Sequence, residues 1–216
     1  MTINDKLAKK LEQGREYRNT QVFDVKADDE NNGGEMVVRG YASTFNDPYM
    51  LFDMGDYRVF EQIDARAFDE CDMDDVIMQY DHAGRVFART ANGTLKISTD
   101  EHGLYCEADL SGTEAGRALY EEIKGGYTNK MSFGFIVDED TRSESTNGNT
   151  VEILRTVTRV KKLFDVSAVS IPANNGTDIS ARTYGEGVIG EAKAERQRAH
   201  EMAMQKQKIK IMGGLK

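Results

Sequence analysis

RVFARTANGTLKISTDEHGLYCEADL (residues 85–110), continued by SGTEAGRALYEEIKGG (111–126) and NKMSFGFIVDED (129–140), holds the clearest structural signals in the chain. Its first part has three short strand-like runs. They are separated by turn signals at Ala91-Asn92-Gly93 and Asp100-Glu101-His102-Gly103. That spacing predicts a meander of antiparallel strands. The second part predicts a helix. Ser111 and Glu114 have the S-x-x-E spacing of a capping box, and Ala115, Leu119 and Ile123 recur at helical spacing. Gly125-Gly126 close its far end. The third part alternates as a strand, with Met131, Phe133 and Phe135 on one face and Ser132, Gly134 and Ile136 on the other.

Upstream, VIMQYDH (76–82) reads as a buried strand ending at His82, and ARAFDECD (65–72) as a short helix. NDPYMLFDMGDYRVFEQI (46–63) reads as loop then strand. MVVRGYASTF (36–45) pairs with QVFDVKADD (21–29) as a hairpin across the loose loop NNGGE (31–35). Downstream, SESTNGNT (143–150) is a polar turn, and VEILRTVTRVKKLFDVSAVSIP (151–172) supplies one or two further strands, stopped by Pro172. Many short strands with one or two helices predict an α+β domain over 21–183, built on a small, mostly antiparallel β-barrel with flanking helices. Residues 1–20 form a polar lead, helical or disordered. Residues 184–216 form a basic tail, helical or disordered.

Composition narrows the function classes. The 216 residues suit one domain with flexible ends, and 30% of them are charged. The net charge of −9 is uneven: Lys193, Arg196, Arg198, Lys206, Lys208, Lys210 and Lys216 make the end of the chain basic and leave the body strongly acidic. An acidic body argues against nucleic-acid binding, while a basic tail suits an acidic partner or simple solvation. No apolar run approaches the roughly 20 residues that span a bilayer, which argues against a membrane protein. The first residues lack the apolar stretch of a secretory signal. Cys71 and Cys106 have no CxxC partner and read as reduced. His82, His102 and His200 lie far apart with no metal-ligand spacing, so no metal or cofactor is expected.

Three residues attract chemistry. Ser132 shares a strand face with Gly134, which leaves room for a substrate backbone, while the aromatics opposite hold the strand still. His82 closes an apolar strand, where an imidazole is both held and accessible; His102 and His200 sit in polar surroundings. Asp165 lies in the apolar run LFDVSAVSIP, where an unpartnered carboxylate is costly. Each also has a plainer reading: a strand serine, a loop histidine, and an edge aspartate or partner of Lys161 or Lys162. Spacing alone does not join them.

The pieces VVRGYASTFND, FEQIDARAFDE, DVIMQYDHAGRVFARTANGTLKI, GLYCEADL, GRALYEEIKGGYTNKMSFGF and LFDVSAVSIPANNGTDI occur in that order between residues 37 and 179. Together they resemble the prohead maturation proteases of tailed bacteriophages. That family is similar in fold to herpesvirus assembly proteases. The resemblance implies a serine endopeptidase inside the immature capsid, in the bacterial cytoplasm. It would cut the scaffolding segment of the major capsid protein and then itself, with the two charged ends as propeptides or docking arms. It maps the nucleophile to Ser132, the base to His82 and the orienting acid to Asp165. Many relatives have glutamate at the last position, and asparagine where this chain has Asp81, which makes Asp81 a rival orienting group. Oxyanion donors are sought near Phe133-Gly134 or in Asn174-Asn175-Gly176. The alternative reading is a noncatalytic, protease-like assembly or scaffolding factor. A further one is a host-type cytosolic peptidase.

Overall fold

A computed structural model describes residues 13–19, 26–27, 36–169 and 179–213. Its strands are β1 (Glu16–Asn19), β2 (Lys26–Ala27), β3 (Val37–Thr44), β4 (Tyr49–Asp53), β5 (Tyr57–Ile63), β6 (Ile77–Tyr80), β7 (Ala83–Arg89), β8 (Leu95–Thr99), β9 (Gly103–Asp109), β10 (Lys130–Asn147) and β11 (Thr150–Val169). The helices are α1 (Glu114–Lys124) and α2 (Ile179–Gly213), with a 3-10 turn at Thr90–Asn92.

The spine is β11, 20 residues long. One of its edges takes β10 antiparallel through a two-residue turn in which Gly148 adopts φ 61°. Its other edge takes β5 along residues 151–157 and β6 along residues 165–168, both parallel. A single strand therefore sets the register of the hairpin that carries Ser132 and of β6, which ends at Tyr80, so that His82 lies in the turn after it and does not close the strand. The sheet order is β1-β10-β11-β5-β4, with β6 and β7 attached beside it. The second sheet is β2-β3-β9-β8.

The main core fills the space between the sheets and α1. Met131, Phe133 and Phe135 are fully buried, as their alternation demands, and Phe133 stacks on Phe135 at 4.5 Å. Leu163 and Val166 meet Leu104, Leu110, Leu119 and Ile123 in the same cluster. A smaller cluster packs Leu51, Phe52, Val59 and Ile153 against Ala181, Val188 and Ile189 of α2.

Several expectations change. The α+β class and the mostly antiparallel pairing are present, but among the described residues the strands form two separate sheets that do not close into a barrel. Residues 65–70 form successive turns, not a helix. The cap of α1 is Thr113, whose side chain accepts from Gly116 N–H at 2.9 Å, not Ser111. The hairpin of 21–29 with 36–45 is reduced to β2 on β3, since 21–25 and 28–35 lie outside the described residues. Within the polar lead 1–20, residues 16–19 enter the sheet as β1. Within the basic tail, α2 packs its start into the smaller core and exposes its charged remainder.

Replacing Phe133 by alanine removes a stacked, fully buried ring. Unfolding in urea should show a loss of about 3–5 kcal/mol.

Candidate active site

The β6–β7 hairpin turns on two residues, Asp81 and His82, because Tyr80 pairs directly with Ala83. Both adopt left-handed backbone, at φ 47° and 55°. Two-residue hairpins need this conformation, and an aspartate or asparagine tolerates it better than most residues. The turn is pinned from outside, since Asp81 N–H donates to Ala168 O at 3.0 Å. This short geometry aims the imidazole at the junction of β10 and β11.

At that junction Ser132 faces Ser167, and Gly134 faces Asp165. His82 Nδ1 meets Asp165 Oδ1 at 2.5 Å, and His82 Nε2 meets Ser132 Oγ at 2.5 Å. Ser167 Oγ donates to the same Asp165 oxygen at 2.9 Å. The carboxylate is 1% exposed, so its charge is solvated by these donors and not by water. The Asp81 side chain is exposed. His102 meets Tyr41 edge to face, and His200 lies on the exposed part of α2.

Gly134 is required by crowding. A Cβ there would lie 2.5 Å from Asp165 Oδ2 and 2.7 Å from Tyr17 Cε1. Tyr17 packs its ring on His82 with centroids 4.4 Å apart. Burial, then the Asp165 charge, push its phenol up to about 12, so it stays neutral beside the imidazole. Of the positions considered for oxyanion donors, Phe133 and Gly134 lie inside β10, flanked on both sides by strands, and 174–176 lie outside the described residues.

Ser132 and His82 meet at hydrogen-bonding distance, but not on an open surface. Ser132 is 0% exposed. Strand β1 lies along β10, with Asn19 opposite Ser132, and the serine hydroxyl donates to Arg18 O at 2.8 Å. The hydroxyl has one proton and two acceptors within reach, Arg18 O and His82 Nε2.

A second buried polar cluster adjoins the first. The Arg18 guanidinium, 2% exposed, grips Glu61 with both Nε and Nη2, the latter at 2.9 Å. Arg155, opposite Glu61 in the β11–β5 register, donates to it at 2.8 Å and also holds Glu16 at 2.7 and 3.0 Å. Tyr49 also donates to Glu61. Burial alone would raise the Glu61 carboxyl, but the charges of Arg18 and Arg155 outweigh it and hold it below its ordinary range. Glu16 follows the same pattern and falls to about 2. The sequence reading had none of these residues. Their signal was available: Glu61 sits in phase with Val59 and Ile63, and Arg155 with Ile153 and Val157, so two opposite charges share the inward phase of two strands.

Burial of the thiols pushes Cys106 up to about 12 and Cys71 to about 11, so neither is a thiolate near neutrality. Among the described residues no group of His, Cys, Asp or Glu could hold a metal ion. No helix among them is long and apolar enough to cross a membrane.

Two outcomes follow for the site. Gly134→Ala should displace Asp165 or Tyr17, lowering stability by about 1–3 kcal/mol and shifting the His82 imidazole signals in NMR. Glu16 has its folded pKa lowered from 4.5 to about 2, so its contribution is complete above pH 4.5 and is lost as pH falls toward 2. Amide exchange of β1 in Ser132→Ala protein should accelerate across that window, and Glu16→Gln should remove the dependence.

Among curated proteins and solved structures, nothing matches this chain. A family model described as the caudovirus prohead serine protease matches residues 21–187. The match covers most of the chain, including Ser132, His82 and Asp165, and begins just after β1. The chain therefore belongs to the prohead serine proteases of tailed phages, hydrolases that act on peptide bonds.

Proposed function

We propose that Ser132 is the nucleophile, His82 the general base and Asp165 the orienting carboxylate of this peptidase. We further propose that it cuts the scaffolding segment of the phage major capsid protein, and its own chain, inside the prohead. The carrying observation is the unbroken line from Asp165 Oδ1 through both imidazole nitrogens to Ser132 Oγ, each contact at 2.5 Å. Asp165 accepts the Nδ1 proton, which leaves Nε2 free to take the hydroxyl proton as Oγ attacks a peptide carbonyl. The imidazolium formed is stabilised by the adjacent carboxylate and passes its proton to the leaving amine. Water then hydrolyses the acyl-enzyme by the same route. No cofactor enters these steps. The basic end of α2, with Lys206, Lys208 and Lys210 exposed, suits docking on an acidic scaffold.

Co-expression with the capsid protein precursor, followed by mass spectrometry of both chains, tests this reading. Ser132→Ala and His82→Ala should leave the precursor uncut, with rates down roughly 10⁶-fold. Asp165→Asn should lose roughly 10⁴-fold through the wrong imidazole tautomer. Normal processing by Ser132→Ala would instead support a noncatalytic assembly role.

A further inference from the structure

We infer that β1 is a substrate strand held in the chain's own active site. The scissile bond is Arg18–Asn19, and the peptidase selects substrates with arginine on the acyl side of the cut and a carboxylate two residues earlier. This rests on the peptidase reading of Ser132.

Four observations converge. The carbonyl that Ser132 Oγ touches is that of Arg18, at 2.8 Å, so the attacked carbon of a peptide bound this way belongs to residue 18. β1 is the outermost strand of its sheet and pairs antiparallel with the strand that carries the nucleophile. An extended peptide replacing it would complete the same edge by strand addition. The Arg18 side chain enters a socket whose floor is Glu61, 0% exposed, in the two-pronged geometry that suits a guanidinium better than an ammonium. Two residues earlier on the same strand face, Glu16 meets Arg155 through both carboxylate oxygens. Glu61 and Arg155 belong to the body matched by the family, whereas Glu16 and Arg18 precede it.

Charge explains the selectivity. Removing β1 takes Glu16 and Arg18 away and leaves Arg155 between Glu61 and Asp140. Arg142 also stands 3.9 Å from Asp140, so the empty socket presents the Glu61 carboxylate for an incoming arginine to pair with. A glutamate there would face the Glu61 carboxylate directly, like charge against like. Across all 216 residues, Glu-x-Arg occurs once, at 16–18, and Asp-x-Arg three times, at 56–58, 64–66 and 140–142, each of those in or beside the folded sheet.

The step is ordinary acyl transfer. Oγ bonds to the Arg18 carbonyl carbon as its proton moves to His82 Nε2. The bond to Asn19 N breaks, and that nitrogen takes the proton. One water then releases the Arg18 carboxylate and restores the hydroxyl. Until this happens β1 excludes other substrates, so the strand is inhibitor and first substrate together.

The test follows purified full-length chain by intact mass and N-terminal sequencing, alongside cleavage of capsid precursor. Wild type should yield a fragment starting at Asn19, with a half-time unchanged on dilution. Ser132→Ala should stay whole. Arg18→Ala should keep the 18–19 bond and, with β1 still lying across Ser132, should cut precursor more slowly than matured wild type. Matured enzyme should cut the peptide GREYRNTQ after arginine, and its R18Q and R18E forms at least about 100-fold more slowly. Precursor cleavage with no new end at Asn19, a dilution-dependent half-time, or equal rates on the three peptides would each overturn the inference while leaving the peptidase reading intact. If neither precursor nor chain is cut, both fall. Because the peptide series varies only the substrate, it stands even where a Glu61 variant fails to fold.

Discussion

A buried carboxylate has to be matched, and the structure around Asp165 is arranged to match it. Its side chain lies inside a run of fully buried β11 residues, where leaving the charge without donors would cost several kcal/mol. The donors come from Ser167 on its own strand and His82 on the neighbouring hairpin. Gly134 on the facing strand supplies the space, having no side chain. The His82 imidazole is therefore held in place by the same requirement that keeps the buried charge matched.

Curvature brings the second cluster within reach of the first. Asp140 lies eight residues beyond Ser132, about 26 Å along a flat strand, yet Arg155 bonds both Asp140 and Glu16. Four register shifts between residues 134 and 140 bend the β10–β11 hairpin, as bulges do, and fold its middle back over β1. The buried pairs there do not make the fold cheap to assemble: desolvating them offsets most of their attraction, and losing one member alone costs roughly 3–5 kcal/mol. They fix where Arg18 lies beside Ser132 more than they add to bulk stability.

Much of this was legible in the residues. The alternation of Met131, Phe133 and Phe135 identified the buried face, and with it the strand of Ser132. The apolar setting of Asp165 correctly demanded a partner. What local pattern left hidden depended on distant pairing. No spacing rule shows that β5 and β6 dock end to end on one strand, or that residues 16–19 of a polar lead become the outermost strand of a sheet. The capping box pointed to Ser111, but Thr113 sits three residues before an amide it can reach. Burial of Ser132 was missed for the same reason as β1 itself, since a four-residue strand with two charged members has no periodicity to read.

The turn at Asp81 and His82 has a mechanical consequence. Two side-chain-bearing residues in left-handed backbone store strain of about 1–3 kcal/mol each, and the restraint opposing it includes the bond from the imidazole to Asp165. Aspartate and histidine thus behave as a catch and a bent spring. Shortening or neutralising the catch would let the loop uncoil, drawing the ring away from the hydroxyl.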